Sequence, residues 1–224
     1  MKAVVKTRRA KGLEFVKIPA PQLGPRDVLI RVRYASICGT DVHIFDWTRW
    51  ARKRFTPPQI LGHEFVGIVT EIGEEVTQVE VGDRVSAESH ISCGYCYQCR
   101  NGYPEVCRNT KLLGVDHDGS FAEFIALPEH VLWKNDPDIP DEWASLQEPF
   151  GNAIDTVLAE NISAKTILIL GAGPIGLFAT GIAKACGASL VIVSDPNNYR
   201  LAIARKMGAH LTLNPKKKDI VQSV

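Results

Sequence analysis

Residues 166–176 read Thr-Ile-Leu-Ile-Leu-Gly-Ala-Gly-Pro-Ile-Gly, and this stretch indicates how the second half of the chain folds. The apolar, β-branched run Thr166–Leu170 predicts a buried strand, and Pro174 begins a helical segment that ends before Gly187. The uncharged run 166–183 is as long as a membrane-spanning helix, but glycines and a proline interrupt it. It therefore predicts a strand, a turn and a helix.

The same alternation continues to the end of the sequence. Strands are predicted at Leu190–Ser194 and Leu211–Leu213, with a helix at Asn198–Met207 between them. Strands alternating with helices favour a parallel sheet with right-handed crossovers. Cys186 ends the helical segment that begins at Pro174, and it is expected to be a small buried residue.

The glycines of the opening stretch have the spacing of a dinucleotide-binding loop. Gly171 would allow a tight turn, Gly173 would let a pyrophosphate approach the backbone, and Gly176 would let helix and strand pack closely. Asp195 ends the next strand and could accept the ribose hydroxyls of NAD, while Arg200 could reach the adenosine or favour NADP. NAD is preferred because Asp195 would repel a 2′-phosphate; a purely structural turn is the alternative.

The front of the chain has a different character. Short strands are predicted at Ala3–Lys6, Glu14–Ile18, Val28–Tyr34, Ile60–Ile72, Arg84–Ala87 and Phe121–Leu127. Helices are predicted after Pro140. The sequence thus predicts a β-rich domain over residues 1–150 and the start of a doubly wound domain over residues 151–224.

The charge balance and the start of the sequence argue against a nucleic-acid-binding protein and a secreted protein. The chain has 224 residues, 26 Lys plus Arg against 25 Asp plus Glu, and a net charge of +1. This balance argues against nucleic-acid binding through bulk positive charge. The start of the sequence has no apolar secretory segment, so a cytoplasmic location is expected, where stable disulfides are rare.

Four of the six cysteines lie close together, in the pattern Cys93-x2-Cys96-x2-Cys99-x7-Cys107. Four thiolates can surround one Zn²⁺ tetrahedrally and leave no open position, which is typical of a structural zinc. Disulfides and an iron–sulfur cluster are the alternatives.

A second candidate metal set is scattered along the chain. Cys38 follows one predicted strand, His63 and Glu64 lie beside another, and Glu148 lies near the domain boundary. A thiolate, an imidazole and carboxylates suit a zinc with an exchangeable position. Spacing alone leaves open that Cys38 and His63 are ordinary core residues.

The order of the motifs is informative. Cys38-Gly-Thr-Asp-x-His, Gly62-His-Glu, the four-cysteine loop, Glu148-Pro-Phe-Gly-Asn-Ala and the dinucleotide loop occur in this order in zinc-containing medium-chain alcohol dehydrogenases, which the whole chain resembles. Within that superfamily it is most similar to the L-threonine 3-dehydrogenases. The resemblance implies an α/β fold: a GroES-like catalytic domain followed by the first half of a Rossmann doubly wound parallel sheet.

The resemblance also assigns roles to residues. It implies a catalytic zinc on Cys38, His63 and Glu64, and a structural zinc on Cys93, Cys96, Cys99 and Cys107. It implies a proton relay of Thr40 and His43, Glu148 at or beside the metal, and His90 near the substrate. NAD would be bound by Gly171, Gly173, Ile175, Gly176, Asp195 and Arg200.

The implied reaction is transfer of hydride from the C3 hydroxyl of L-threonine to NAD, giving L-2-amino-3-oxobutanoate. The intact enzyme would be a cytoplasmic homotetramer without membrane or nucleic-acid partners. Members of the superfamily continue for about another domain's worth of sequence, so a truncated chain is expected. The alternatives are a polyol or diol dehydrogenase, of the sorbitol or butanediol type, and a catalytically inactive zinc-binding fragment.

Overall fold

The structure, a computed structural model, describes residues 1–223 of the chain. The chain divides into two compact units, Met1–Glu148 and Pro149–Val224. The sequence predicted the division after residue 150, and the last residue of the predicted second domain, Val224, lies outside the described residues.

The first unit consists mainly of antiparallel strands. They are β1 (Lys2–Lys6), β2 (Glu14–Lys17), β3 (Asp27–Ser36), β4 (Gln59–Ile60), β5 (Glu64–Ile72), β6 (Arg84–Ala87), β7 (His90–Ile91), β8 (Lys111–Leu112), β9 (Phe124–Pro128) and β10 (Leu132–Lys134). The largest sheet has the order β10-β6-β5-β3-β9, a second has the order β2-β1-β4, and β7 pairs with β8.

The core of the largest sheet follows from the alternation of its strands. Val28 and Ile30 of β3 are fully buried and pack with Phe65 and Val69 of β5 and Leu127 of β9. Fully burying such a side chain stabilises the fold by about 1.5–3 kcal/mol. This core holds β3 and β5 side by side.

The pairing of β3 with β5 is irregular at two places. Its register shifts between Leu29 and Ile30 and again between Val32 and Tyr34, and beyond the second shift Ser36 pairs with Glu64. Each shift is a bulge, in which one extra residue bends the strand and increases its twist. The second bulge fixes which residues lie opposite one another at the end of β3.

The helices of the first unit are short. They are α1 (Gly39–Phe45), α2 (Arg49–Arg54), α3 (Tyr97–Arg100) and α4 (Asp141–Ala144), and α5 (Gln147–Leu158) begins at the end of this unit. Helix α1 follows β3 directly, with Cys38 at its N-cap, and the Asp41 carboxylate accepts the Cys38 backbone N–H. Side-chain acceptors of this kind satisfy backbone groups left free at a helix N-terminus.

The second unit contains a parallel sheet in the order β11-β12-β13. Its elements after α5 are β11 (Thr166–Leu170), α6 (Pro174–Ala185), β12 (Leu190–Ser194), α7 (Asn198–Lys206), β13 (Leu211–Leu213) and α8 (Ile220–Ser223). Helices α6 and α7 are followed by Gly187 and Gly208, both with positive φ, as expected for C′ residues. The predicted doubly wound, parallel arrangement is confirmed.

Several predicted bounds differ by one or two residues, and three larger differences concern the predicted strands Ile60–Ile72 and Phe121–Leu127 and the burial of Cys186. The predicted strand Ile60–Ile72 is interrupted at residues 61–63, because Gly62 turns the chain with φ 92°. The predicted strand Phe121–Leu127 begins only at Phe124. The prediction for Cys186 was wrong: it is the C-cap of α6 and is exposed.

Within residues 1–223, no helix has the length and apolar character needed to cross a bilayer.

Candidate functional site

Cys38, His63 and Glu64 converge in the first unit. Cys38 follows β3, His63 precedes β5 and Glu64 begins it, so the pairing of Ser36 with Glu64 brings the three together. Their candidate ligand atoms all lie within 4.8 Å of one another. His63 and Glu64 are buried, and Cys38 is half-buried.

Asp41 lies beside this cluster and was not predicted from the sequence as a site residue. Its buried carboxylate accepts the backbone N–H of Cys38 at 2.9 Å and that of Gly62 at 3.2 Å. One side chain therefore links the backbone at Cys38 to the residue preceding His63. The signal was present in the sequence, because an acidic residue three positions after a helix N-cap is a capping pattern.

Burial and neighbouring charges shift the proton affinity of this cluster. Burial lowers the pKa of His63, but the Cys38 thiol, Asp41 and Glu148 outweigh that effect and raise it to about 9. Burial also raises the pKa of Glu64. Without a metal His63 therefore retains a proton near neutral pH, and a bound cation would displace it.

The chemistry of this donor set fits zinc. Thiolate, imidazole and carboxylate are all ligands of Zn²⁺, and three protein ligands leave room for an exchangeable one. The three groups are largely buried, and without a bound cation their charges would be unfavourable there.

Glu148 lies beside this cluster. It is the second residue of α5, is buried, and its charge contributes to raising the pKa of His63. The Ser89 hydroxyl donates to Glu148 Oε1 at 2.5 Å, and Ser89 Oγ lies 3.2 Å from His90 Nδ1. The sequence offered no signal for Ser89, because its role depends on a contact between distant segments.

The two predicted relay residues both lie on α1. Thr40 is half-buried and His43 is exposed, one helical turn apart and therefore on the same side of the helix. The His43 ring lies 6.3 Å from the Trp50 ring, measured between centroids. An exposed imidazole can exchange protons with solvent near neutral pH.

The four cysteines of the loop form a compact cluster. The sulfur–sulfur distances are 3.4 Å for Cys96–Cys99, 3.5 Å for Cys93–Cys107 and 3.8 Å for Cys96–Cys107. A tetrahedral zinc with Zn–S bonds of about 2.3 Å requires sulfurs about 3.8 Å apart. All four thiols are free, so disulfides do not account for the cluster.

Amide groups point at these sulfurs. The Asn109 side chain donates to Cys93 at 3.4 Å, and the Cys93 backbone N–H donates to Cys107 at 3.3 Å. Burial raises the pKa of the Cys93 thiol, but hydrogen bonds from Asn109 and from backbone N–H groups outweigh it and bring it to about 6. The surroundings therefore favour the thiolate at Cys93, whereas burial and hydrogen bonds with the neighbouring thiols raise the pKa of Cys99 to about 12.

The three glycines of the loop in the second unit differ in backbone conformation and in the space around them. Gly171 has φ 105°, and space around Gly171 and Gly173 is open where a side chain would otherwise stand. A Cβ on Gly176 would overlap the carbonyl oxygen of Gly171, so this helix–strand contact requires glycine. Open glycines before the N-terminus of α6 fit a bound pyrophosphate.

Asp195 lies next to this loop and has an additional structural role. It is buried, and its two carboxylate oxygens accept the backbone N–H groups of Ala172 at 2.8 Å and Asn197 at 2.7 Å. Each oxygen retains a further lone pair for a ribose hydroxyl. Arg200 lies 3.9 Å from Asp195, and Ile175 is exposed in the first turn of α6.

Comparisons with known proteins agree with this chemistry. Residues 24–141 match the family described as the alcohol dehydrogenase GroES-like domain, and residues 174–224 match the zinc-binding dehydrogenase family. The chain is 53% identical over 224 residues to L-threonine 3-dehydrogenase of Pyrococcus abyssi, covering 100% of this chain and 64% of that protein. It thus spans about 64% of the length of the curated relatives it matches.

Solved structures show the same fold. A zinc-binding dehydrogenase of Sinorhizobium meliloti bound to NADP superimposes with a TM-score of 0.87 at 35% identity, covering 100% of this chain and 64% of that one. An Escherichia coli alcohol dehydrogenase complexed with NADH superimposes with a TM-score of 0.91 at 33% identity, covering 100% and 65%. The chain belongs to the zinc-binding dehydrogenases that carry an alcohol dehydrogenase GroES-like domain.

Proposed function

We propose that this chain carries the metal centres and the first part of the nucleotide site of a zinc- and NAD-dependent L-threonine 3-dehydrogenase. The observation that carries the proposal is the convergence of Cys38, His63 and Glu64 into one buried donor set. Support for threonine comes from relatives of that name, about half identical over this whole chain. The intact enzyme would be a homotetramer in the cytoplasm, where reducing conditions keep free thiols available for zinc.

Two zinc sites are proposed. Cys38, His63 and Glu64 would hold the catalytic ion, and Cys93, Cys96, Cys99 and Cys107 would hold the structural ion. When bound, zinc supplies Lewis acidity that lowers the pKa of a coordinated hydroxyl, and NAD supplies the hydride acceptor.

Residues near Cys38, His63 and Glu64 would transfer the proton of the substrate hydroxyl to solvent. The Thr40 hydroxyl would accept it and pass it to the His43 imidazole, which is exposed and can release it to solvent. The Glu148 carboxylate would set the charge beside the reacting hydroxyl, and His90 would contact the substrate. With the hydroxyl proton released to solvent and the C3 hydrogen transferred as hydride to NAD, the C3 hydroxyl of threonine would become the ketone of L-2-amino-3-oxobutanoate.

The glycine loop and Asp195 would select the cofactor. Gly171, Gly173, Ile175 and Gly176 would line the pyrophosphate, and Arg200 would contact the adenosine. The Asp195 carboxylate favours NAD because it would repel a 2′-phosphate. Titration of the protein with NADH and NADPH tests this preference: equal affinity for both would contradict it.

Metal content per chain, measured together with NADH formation from a panel of alcohols, tests the whole proposal. Two zinc ions and turnover of threonine support it. Turnover of sorbitol or butanediol, but not threonine, would replace it with a polyol or diol dehydrogenase. One zinc ion without turnover of any alcohol would indicate a catalytically inactive zinc-binding fragment.

A further inference from the structure

A three-residue hydrogen-bond chain connects Glu148 to His90 through the Ser89 hydroxyl. We infer that Ser89 is a positioning residue that orients the Glu148 carboxylate and selects the tautomer of the His90 ring. The tautomer assignment rests on the contacts of Ser89 alone, whereas its consequence for catalysis rests on the proposed function.

The proton positions follow from the distances. Ser89 Oγ and Glu148 Oε1 are 2.5 Å apart, which requires a proton between the two oxygens. The Ser89 hydroxyl is the donor of this hydrogen bond and Glu148 Oε1 is the acceptor, so the proton belongs to the hydroxyl. The hydroxyl has no second proton to give, and its 3.2 Å contact with His90 Nδ1 must therefore be donated by the ring.

The assignment leaves His90 with a defined chemical character. A neutral imidazole carries one proton, so a proton on Nδ1 leaves a free lone pair on Nε2. His90 is exposed, and its ring therefore offers a hydrogen-bond acceptor to solvent and to a substrate. Free imidazole side chains prefer the opposite tautomer, with the proton on Nε2, so Ser89 would reverse the intrinsic preference.

The surroundings make Ser89 suited to this role. Ser89 and Glu148 are both buried, so water competes little for their hydrogen bond. The Ser89 backbone is held in place, because its carbonyl accepts the Leu113 N–H at 2.9 Å. The neighbouring Glu88 instead accepts the Trp133 indole N–H at 2.9 Å and is separately engaged.

The test is the ¹⁵N NMR spectrum of histidine-labelled, zinc-loaded full chain, recorded above about pH 8, where an ordinary histidine is neutral. The His90 resonances are identified by their loss in His90→Gln. We expect the Nδ1–H tautomer in the unmodified protein and in Ser89→Thr, which keeps the hydroxyl, and the Nε2–H tautomer in Ser89→Ala.

The matched control is Ser86→Ala. Ser86 is also buried and donates its hydroxyl to the Ala144 carbonyl at 3.0 Å, away from His90. It should leave the His90 tautomer unchanged. An Nε2–H tautomer in the unmodified protein, or the same change in Ser86→Ala as in Ser89→Ala, would overturn the inference.

Turnover gives a second and separate readout. Loss of a hydrogen-bond partner behind a site residue typically lowers activity about 10–100-fold, so Ser89→Ala should lose about tenfold or more in kcat, with recovery in Ser89→Thr. No threonine turnover by the unmodified protein would count against the proposed function while leaving the NMR result to decide the hydrogen-bond chain.

Discussion

Replacing Asp41 with asparagine should weaken zinc binding by the set Cys38, His63 and Glu64. Asp41 uses its two oxygens to hold two backbone N–H groups, one at Cys38 and one at Gly62. Asparagine has nearly the same shape but only one oxygen acceptor, and its NH₂ group would face the second N–H. One of the two hydrogen bonds is therefore lost. A metal would then have to fix the positions of Cys38 and His63 relative to each other at a greater cost in entropy.

The magnitude follows from the type of hydrogen bond. A hydrogen bond to a charged group contributes about 1.5–3 kcal/mol. At about 1.4 kcal/mol per factor of ten, this loss corresponds to about 10- to 100-fold weaker zinc binding. The lost negative charge next to His63 acts in the same direction, because it helps to balance the cation.

The assay is competition for zinc against chromogenic chelators of graded affinity. One of the two proposed zinc ions should be released more readily from Asp41→Asn, while the four-cysteine ion is retained. Asp27→Asn is the matched control, since Asp27 accepts the backbone N–H of Gly24 at 2.9 Å away from the cluster. Unchanged affinity in Asp41→Asn, or an equal loss in both variants, would refute the reasoning.

Three further predictions concern the stability of the fold and the four-cysteine loop. Gly119→Ala should lower the free energy of unfolding by 3 kcal/mol or more, roughly the scale of a severe packing clash, because its Cβ would overlap two backbone carbonyl oxygens. Gly151→Ala, a helix position with open space, should instead be neutral or raise it by about 0.5–1 kcal/mol; thermal unfolding of both separates the cases. Hydrogen bonds from Arg54 lower the pKa of Asp116. The unmodified protein should therefore be more stable than Asp116→Asn above the unfolded-state pKa of about 3.9, and this advantage should disappear as pH falls through the lower pKa of the folded state. Denaturant midpoints measured from pH 2 to 7 check the sign: an advantage that grows toward low pH would contradict it. Cys107→Ser should remove one zinc ion and expose residues 93–107 to limited proteolysis, whereas unchanged metal content would contradict the four-cysteine site.

The strands of the second unit could be predicted closely from the sequence. Thr166–Leu170, Leu190–Ser194 and Leu211–Leu213 have the same bounds in the structure as in the prediction. Each is a short, mainly apolar run bounded by glycine, serine, histidine, asparagine or charged residues, so the signal is local. The helices following the first two of these strands end before glycine for the same local reason.

The break in Ile60–Ile72 could not be predicted in this way. Gly62 lies where the backbone of Gly119 approaches closely and where the Asp41 carboxylate accepts its N–H. Both partners are distant in sequence, and a strand-like run of residues carries no information about them. The interruption places His63 beside Cys38, so the part that sequence periodicity missed is part of the candidate site.

The candidate ligands themselves were predicted by resemblance rather than by spacing. Cys38 and His63 are 25 positions apart, and only the pairing of β3 with β5 brings them together. The roles of these residues remain predictions. Asp41 had a local signal in its capping position, whereas Ser89 had none, because a serine before a histidine is unremarkable without knowledge of Glu148.

The second bulge of β3 marks a position at which this strand can change its length without a change of register. Val32 pairs with Gly67 and Tyr34 with Val66, so Arg33 is the extra residue. Deleting Arg33 would keep Val32 opposite Gly67 and Tyr34 opposite Val66, so the other pairs of the two strands, including Ser36 with Glu64, would remain while the bulge and its extra twist are lost. A one-residue change of length at this bulge would therefore alter the bend of β3 without changing the pairing partners of its core residues or of Ser36, two positions before Cys38.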